Sequence, residues 1–374
     1  MNYINRFHEL NDIFKLGVDT KLNQTLIDIR FCSFQSNFHN LNNKSNCDNV
    51  FSDEIHENNL FSYPVFVPRQ LQKMDNAILL IHGLNERNWN KYLTWAEYLC
   101  KKTGKAVILF PLAYHINRSP GMWSNPRSVK NAFDIRQEIY GQDRTLSFAN
   151  VALSERITQN PNRFYSSGLQ SIKDLENLLS AIKNGDHPFF KANTKIDVFA
   201  YSIGALLSQV AFLSNPVSLF TDSKLFMLCG GSIFSAMVGK TRLIMDKVAF
   251  EKLLAYYSEE FLIQNSIIKD DQKIRSAFFS MIAPEHLKHE REAYFQSMGN
   301  RLSGISLKKD KVIPYAGVKD ALGHELSNSR IDLLDFEYEY CHENPFPVSI
   351  PIHQKEAVNQ AFEKVFSYAA DFLK

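Results

Sequence analysis

Short apolar runs alternate along this chain with longer stretches whose apolar positions recur every three to four residues. Ala77–Ile81 and Ala106–Phe110 are continuously apolar, the pattern of strands buried on both faces of a parallel sheet. Ile196–Ala200, Lys224–Cys229 and Leu302–Leu307 read as further strands. Between them, Trp89–Lys102, Gly168–Lys183 and Lys355–Leu373 carry helical spacing, and the first stops near Gly104 as a C-cap would. A short amphipathic helix over 3–16 opens the chain. Two β-like runs follow, Leu26–Phe34 and Phe61–Val67, separated by an Asn/Ser-rich loop around Asn40–Asp53, and the last strand is expected at Arg330–Tyr340. Strands alternating with helices predict an α/β fold, a mostly parallel central sheet flanked by helices. Two long stretches fall outside that alternation. Residues 112–165 are irregular, broken at Pro120-Gly121 and Asn125-Pro126, and residues 233–300 are helix-rich and aromatic without a strand signal.

Composition narrows the class. With 374 residues, 45% hydrophobic and 22% charged, the chain is long enough for two small domains or for one large α/β domain carrying insertions. A formal net charge of +2, with no basic run interleaved with aromatics, gives nucleic acid nothing to bind. The first residues are too polar for a signal peptide, and no run of about 18 apolar residues marks a membrane span. Five cysteines without paired spacing fit free thiols in a reducing cytoplasm. Glu259, Glu260, Asp270 and Asp271 read as a solvated helix end, and no His/Cys/Asp/Glu spacing supports a metal or another cofactor.

One segment carries chemistry. Ile196-Asp-Val-Phe-Ala-Tyr-Ser-Ile-Gly204 runs from extended residues into Ala-Tyr-Ser-Ile-Gly and then into helix. A serine at the tip of a sharp strand-to-helix turn needs small neighbours, the mechanical requirement of a nucleophile elbow. A serine nucleophile also needs a base, an orienting acid and donors for a developing oxyanion, and a parallel sheet gathers such groups at its C-terminal strand ends. His82-Gly83 follows the Ala77–Ile81 strand, so the amides of Leu84 and Ile203 are the candidate oxyanion donors. Asp310 stands directly after Leu302–Leu307 as the candidate acid. Two histidines compete as base. His342, next to the Arg330–Tyr340 run, is favoured over His353 because strand ends give the positional precision catalysis needs. His115, Arg118, Trp123 and Tyr201 are candidate substrate contacts.

The order Ser202, Asp310, His342, with the His-Gly turn upstream and the Asp-Lys-Val-Ile-Pro segment downstream, resembles the α/β-hydrolase superfamily over most of the chain. Ala200 replaces the first elbow glycine of that family's pattern. Phe110–Pro120 is similar to a segment of a bacterial group of hydrolase-like proteins, a likeness that implies no particular substrate. The resemblance implies a single α/β-hydrolase domain over 1–374, with 112–165 and 233–300 as helical cap insertions. It implies a serine hydrolase acting on a small-molecule ester or related acyl bond without a cofactor. Acyl transfer by the same residues, or a hydrolase-like scaffold used only for binding, are the alternatives.

Overall fold

The computed structural model describes residues 2–38, 51, 54–69, 73–261 and 272–374. Most of the Asn40–Asp53 loop, Cys47 with it, and Asp270 and Asp271 lie outside the described residues. The strands are β1 (Thr20–Leu22), β2 (Ile27–Gln35), β3 (Leu60–Pro68), β4 (Met74–Ile81), β5 (Ala106–Leu109), β6 (Phe190–Tyr201), β7 (Leu225–Leu228), β8 (Leu302–Leu307) and β9 (Ile331–Leu334). Among the described residues they make one nine-stranded sheet in the order β1-β2-β3-β5-β4-β6-β7-β8-β9. The pairs β1–β2, β2–β3 and β3–β5 are antiparallel, and every pair from β5–β4 to β8–β9 is parallel.

The continuous apolar runs have a direct cause. Side chains alternate across a strand, and each face of this sheet is covered. Ala77, Leu79 and Ile81 of β4 pack into one core while Ile78 and Leu80 pack into the other. The same split divides Val198 and Ala200 from Phe199 and Tyr201 in β6, and Leu225 and Met227 from Phe226 and Leu228 in β7.

Among the described residues, the α-helices of seven or more residues are α1 (Tyr3–Ile13), α2 (Asn90–Thr103), α3 (Pro126–Tyr140), α4 (Val151–Gln159), α5 (Arg163–Asn184), α6 (Ile203–Ser214), α7 (Lys247–Ala255), α8 (Gln272–Ser280), α9 (Lys288–Met298), α10 (Tyr315–Leu322), α11 (His324–Arg330) and α12 (Lys355–Leu373). Helices α1, α2 and α12 cover one face through Leu10, Trp95 and Phe362, and α5 and α6 cover the other through Leu175 and Val210. Phe199 lies between Phe226 and Phe366, with ring centroids 5.4 and 5.5 Å away.

The structure departs from the reading of the residue pattern in three places. The irregular 112–165 stretch contains α3 and α4, and α3 begins where Asn125 caps the Arg127 amide with Pro126 in the first turn. What read as punctuation there is a helix start. Residues 315–330, unassigned in the sequence, form α10 and α11. The last strand ends at Leu334 rather than Tyr340. Beyond it Asp335 Oδ1 accepts from the Phe336 amide and the Tyr340 hydroxyl. Phe336, Tyr338 and Tyr340 pack on one another with centroids 5.3 to 5.9 Å apart. Their period-two spacing imitates a strand, but it serves an aromatic stack.

The 112–165 and 233–300 segments meet. Phe51, Ile55, Trp123, Val129, Leu146, Val151 and Ala152 form a small core of their own. Arg136 of α3 is paired with Asp246 at the start of α7 and reaches Glu155 at 3.0 Å and Thr158 at 2.8 Å. Asn150 donates to the Thr241 carbonyl at 2.8 Å, and Ser147 to that of Arg242 at 2.5 Å.

Closest packing occurs where α6 leaves β6. A Cβ on Gly204 would sit 2.7 Å from the His82 carbonyl oxygen and from Ile81 Cγ2. Backbone cannot yield as a flexible side chain can, so Gly204→Ala is expected to lower unfolding free energy by about 3 kcal/mol. Urea denaturation followed by tryptophan fluorescence measures it.

Candidate active site

Ser202 is the first residue after β6, with φ 58 and ψ −125, a backbone conformation costly for any residue with a side chain. Its amide donates to the Leu228 carbonyl at 3.2 Å, which ties the turn to the end of β7. Gly230 permits this approach, since a Cβ there would stand 2.8 Å from the Ser202 carbonyl oxygen. Ala200 is fully buried in β6, so the first elbow position accepts a methyl group while the last does not.

The turn after β4 is fixed from three sides. His82 Nδ1 lies 2.8 Å from the Gly83 carbonyl oxygen, and its Nε2 accepts from the Leu112 amide at 2.9 Å. A carbonyl only accepts, so Nδ1 carries the proton and the ring is the neutral tautomer. Burial holds its pKa well below the ordinary histidine value, and the neighbouring His115 adds to the effect. The Gly83 amide donates to Tyr92 Oη at 3.1 Å, and the Tyr92 hydroxyl donates to Glu86 at 2.7 Å. Gly83 packs against Tyr201 and Ser202. Among the described residues the amides of Leu84 and Ile203 have no protein acceptor, Ile203 because it opens α6 and the first amides of a helix have no intrahelical acceptor.

The expected acid and the favoured base stand beside the serine. His342 Nε2 is 2.6 Å from Ser202 Oγ, and His342 Nδ1 is 2.7 Å from Asp310 Oδ2. Asp310 Oδ1 accepts from the amides of Val312 and Ile313 at 2.9 and 2.8 Å, which aims the other oxygen at the histidine. All three side chains are buried. His353 instead lies exposed just before α12.

His342 is held by a loop. The tight turn Cys341–Asn344 closes through the Asn344 amide on the Cys341 carbonyl at 3.1 Å. Lys91 Nζ donates to the Glu343 carbonyl at 2.8 Å and pairs with Glu86 at 2.6 Å. Thr241 donates to the Glu343 carboxylate, which links this loop to the 233–300 segment.

Tyr201 has a different place from the one expected. It is buried, its hydroxyl donates to the His342 carbonyl, and its ring stacks on the imidazole at 5.7 Å and 14°. It supports the histidine and lines none of the clefts beside the serine. Arg118 is also no substrate contact. It is fully buried, pairs with the fully buried Asp174 at 2.7 Å, and donates to the carbonyls of Asn58 and Pro111. A guanidinium taken out of water needs such partners. Trp123 and His115 do line a cleft.

Among the described residues, clefts adjoin the site. One, of about 400 Å³, includes Ser202 and is otherwise walled by apolar groups such as Met237, Met245, Phe250 and Val312. A second, of about 570 Å³, is lined by Leu112, His115, Ile203, Leu206, Val210 and Phe278 among others. The third, of about 650 Å³, is more polar and is bordered by Glu86, Arg87, His115, Ser119, Trp123 and Arg156. Leu84 and Phe164 belong to all three. Phe164 escaped the sequence reading because nothing in its neighbourhood distinguishes it from helix core. Tyr92, nine residues after Gly83, carried no signal either.

Among the described residues no group of three or more His, Cys, Asp or Glu is arranged to hold a metal, and no helix is long and apolar enough to cross a membrane.

The chain belongs to DUF6051, described as a family of unknown function, which it matches over residues 1–374. Among curated proteins no sequence matches it. The structure is similar to that of a protein titled bacterial heroin esterase, with TM-score 0.51 and 10% identity over 100% of this chain and 90% of that one. It also matches esterase LipW from Mycobacterium marinum, with TM-score 0.45 and 10% identity over 92% of this chain and 82% of that one. The first likeness establishes the α/β-hydrolase fold.

The buried histidines make stability depend on pH. Burial lowers the pKa of His115 to about 4, while the unfolded ring titrates near 6.5. Below about pH 6.5 the unfolded chain therefore binds protons that the folded chain refuses, and stability falls with pH. From His115 the loss is about 2 kcal/mol at pH 5, becoming complete below about pH 4. His82 adds a loss of the same sign. Urea midpoints are expected to drop between pH 7 and 5, and to drop less in His115→Gln.

Proposed function

We propose that this chain is a serine hydrolase that cleaves a carboxylic ester or related acyl bond. The observation that carries the reading is the hydrogen-bonded line from Asp310 through His342 to Ser202, at 2.7 and 2.6 Å, on an elbow strained as a nucleophile elbow is.

Each step has a named residue. With Nδ1–H donating to Asp310, His342 presents the bare Nε2 to the Ser202 hydroxyl. Ser202 Oγ attacks the ester carbonyl carbon as His342 takes its proton, and the carbonyl π electrons move to oxygen. The amides of Leu84 and Ile203 stabilise that oxyanion, each by about 3 kcal/mol on the scale of known oxyanion donors. Collapse breaks the carbon–oxygen bond to the alcohol, which leaves with the proton from His342. Water then attacks the acyl carbon as His342 takes its proton, and collapse breaks the bond to Ser202 Oγ, which takes that proton from His342 as the acid departs. Asp310 holds the tautomer and stabilises the imidazolium formed on the way.

Residues 112–165 and 233–300 would form the cap, consistent with their contacts to each other and with the Thr241–Glu343 bond. By lining the clefts, they would limit water around the acyl group. An acyltransferase would use the same groups. A binding scaffold needs neither the bare Nε2 nor the free amides, which favours catalysis.

A fluorophosphonate probe is expected to label the folded protein, and Ser202→Ala to abolish both labelling and turnover of short p-nitrophenyl esters. Asp310→Asn should reduce kcat by about 10⁴-fold through the wrong tautomer. No labelling and no turnover by folded wild-type protein would overturn the proposal.

A further inference from the structure

The amide of Leu84, the candidate oxyanion donor, shares a planar trans peptide with the Gly83 carbonyl and so points away from it. His82 fixes that carbonyl from Nδ1 at 2.8 Å. On the other side of Leu84 stands Asn85, at φ 58, in the left-handed region that asparagine tolerates better than most residues. Two bonds hold it there. Asn85 Nδ2 donates to the Ala149 carbonyl at 2.9 Å and to the Leu243 carbonyl at 2.7 Å. Both hydrogens of the carboxamide nitrogen are thereby used, and the flipped amide would set an oxygen against two carbonyls.

The two acceptors come from different segments, Ala149 from 112–165 and Leu243 from 233–300. Ser147 and Asn150, beside Ala149, fix the segments to each other through the carbonyls of Arg242 and Thr241. The Thr241 hydroxyl oxygen accepts from the amides of Leu243 and Ile244 at 3.3 and 3.1 Å, which shapes the turn that presents the Leu243 carbonyl. The same hydroxyl donates its one proton to the carboxylate of Glu343, the residue after His342. Residues 241–243 therefore grip the neighbour of the oxyanion donor and the neighbour of the base together. Thr241 lines none of the three clefts described above, so its influence on the reaction runs through Glu343 and the turn.

Resting on the reading of Ser202 as nucleophile, we propose that residues 241–243 are a clasp that positions both halves of the catalytic machinery. Asn85 is the positioning residue for the Leu84 amide, and Thr241, through Glu343, is the one for His342. The carbonyls that hold Asn85 come one from each segment, so the oxyanion donors are in place when the two segments are in contact.

The test uses a fluorophosphonate, in which Ser202 Oγ displaces fluoride from phosphorus while the phosphoryl oxygen takes the oxyanion's place. Asn85→Gly keeps the positive-φ backbone and deletes both side-chain bonds. Thr241→Val keeps the side chain's shape and deletes the bond to Glu343. Each is expected to lower the maximal labelling rate by about tenfold or more, in the direction that loss of an oxyanion donor sets. The half-saturating probe concentration should stay within about twofold of wild type, since binding before chemistry is untouched. The endpoint should still reach one label per chain, whereas a merely structural role would leave fewer labelled sites at an unchanged rate per site. Because both variants act through one turn, the double variant should lose less than the product of the two losses. Thr241→Ser, which keeps the hydroxyl, should label nearly as fast as wild type. Where circular dichroism shows that a variant does not fold, Asn85→Asp or Glu343→Ala removes the same bonds. An unchanged rate per site in either folded variant, a rise in half-saturating concentration alone, or losses that multiply in full overturns the clasp and leaves the Ser202 reading standing. No labelling of folded wild-type protein overturns both.

Discussion

The positive-φ backbone of Ser202 is the constraint on which the site depends. A serine at φ 58 costs about 1–3 kcal/mol, so the surrounding fold must hold it there. It does so by crowding. The turn after β4 presses on Gly204, the end of β7 presses on the elbow through Gly230, and the Ser202 amide is spent on Leu228. Three strand ends thus converge on one residue, and each approach demands glycine or a short side chain. In return, the hydroxyl projects from the sheet edge and the Ile203 amide is left without an acceptor. Those are the two properties a nucleophile elbow requires.

Much of this was legible because crowding leaves a mark in sequence. Glycine or alanine at 83, 200, 204 and 230, each after an apolar run, records where backbones approach. The strand assignments were legible for a related reason. A strand covered on both faces has no polar side, so β4 to β7 stand out against amphipathic helices. Asp310 and His342 were legible by order and by position near strand ends. What was not legible is the means of holding His342. The expected strand stops at Leu334, and the histidine is carried by a loop secured by Tyr201, Lys91 and Thr241. Those partners are 141, 252 and 102 positions away from the residues they bind. Local pattern carries no trace of such pairings.

The misplaced substrate contacts have a shared cause. Arg118 and Tyr201 are polar residues close in sequence to a strand end, and proximity to the site suggested contact with a ligand. Their polar atoms are directed inward instead. Arg118 meets Asp174, a residue of α5, and Tyr201 meets the carbonyl of the base candidate. Sequence supplies the type of a polar group but not the direction of its side chain. Residue type alone cannot separate a group whose partners lie within the fold from one left to face a cleft.

That distinction orders the three histidines near the elbow. His82 has both ring nitrogens engaged by backbone, one on a carbonyl and one on an amide, and so is fixed neutral as a strut for the turn after β4. His342 has a carboxylate on one nitrogen and a hydroxyl on the other, an arrangement able to accept a proton and stabilise the resulting charge. His115 has one nitrogen on a carbonyl and the other bare. It lacks an acid to compensate charge, and Arg118 and Arg156 nearby disfavour it further. The same side chain is a brace where both partners are backbone and, on the proposed reading, a proton carrier where one is a carboxylate. Partner chemistry, more than position relative to the serine, assigns the part each ring can play.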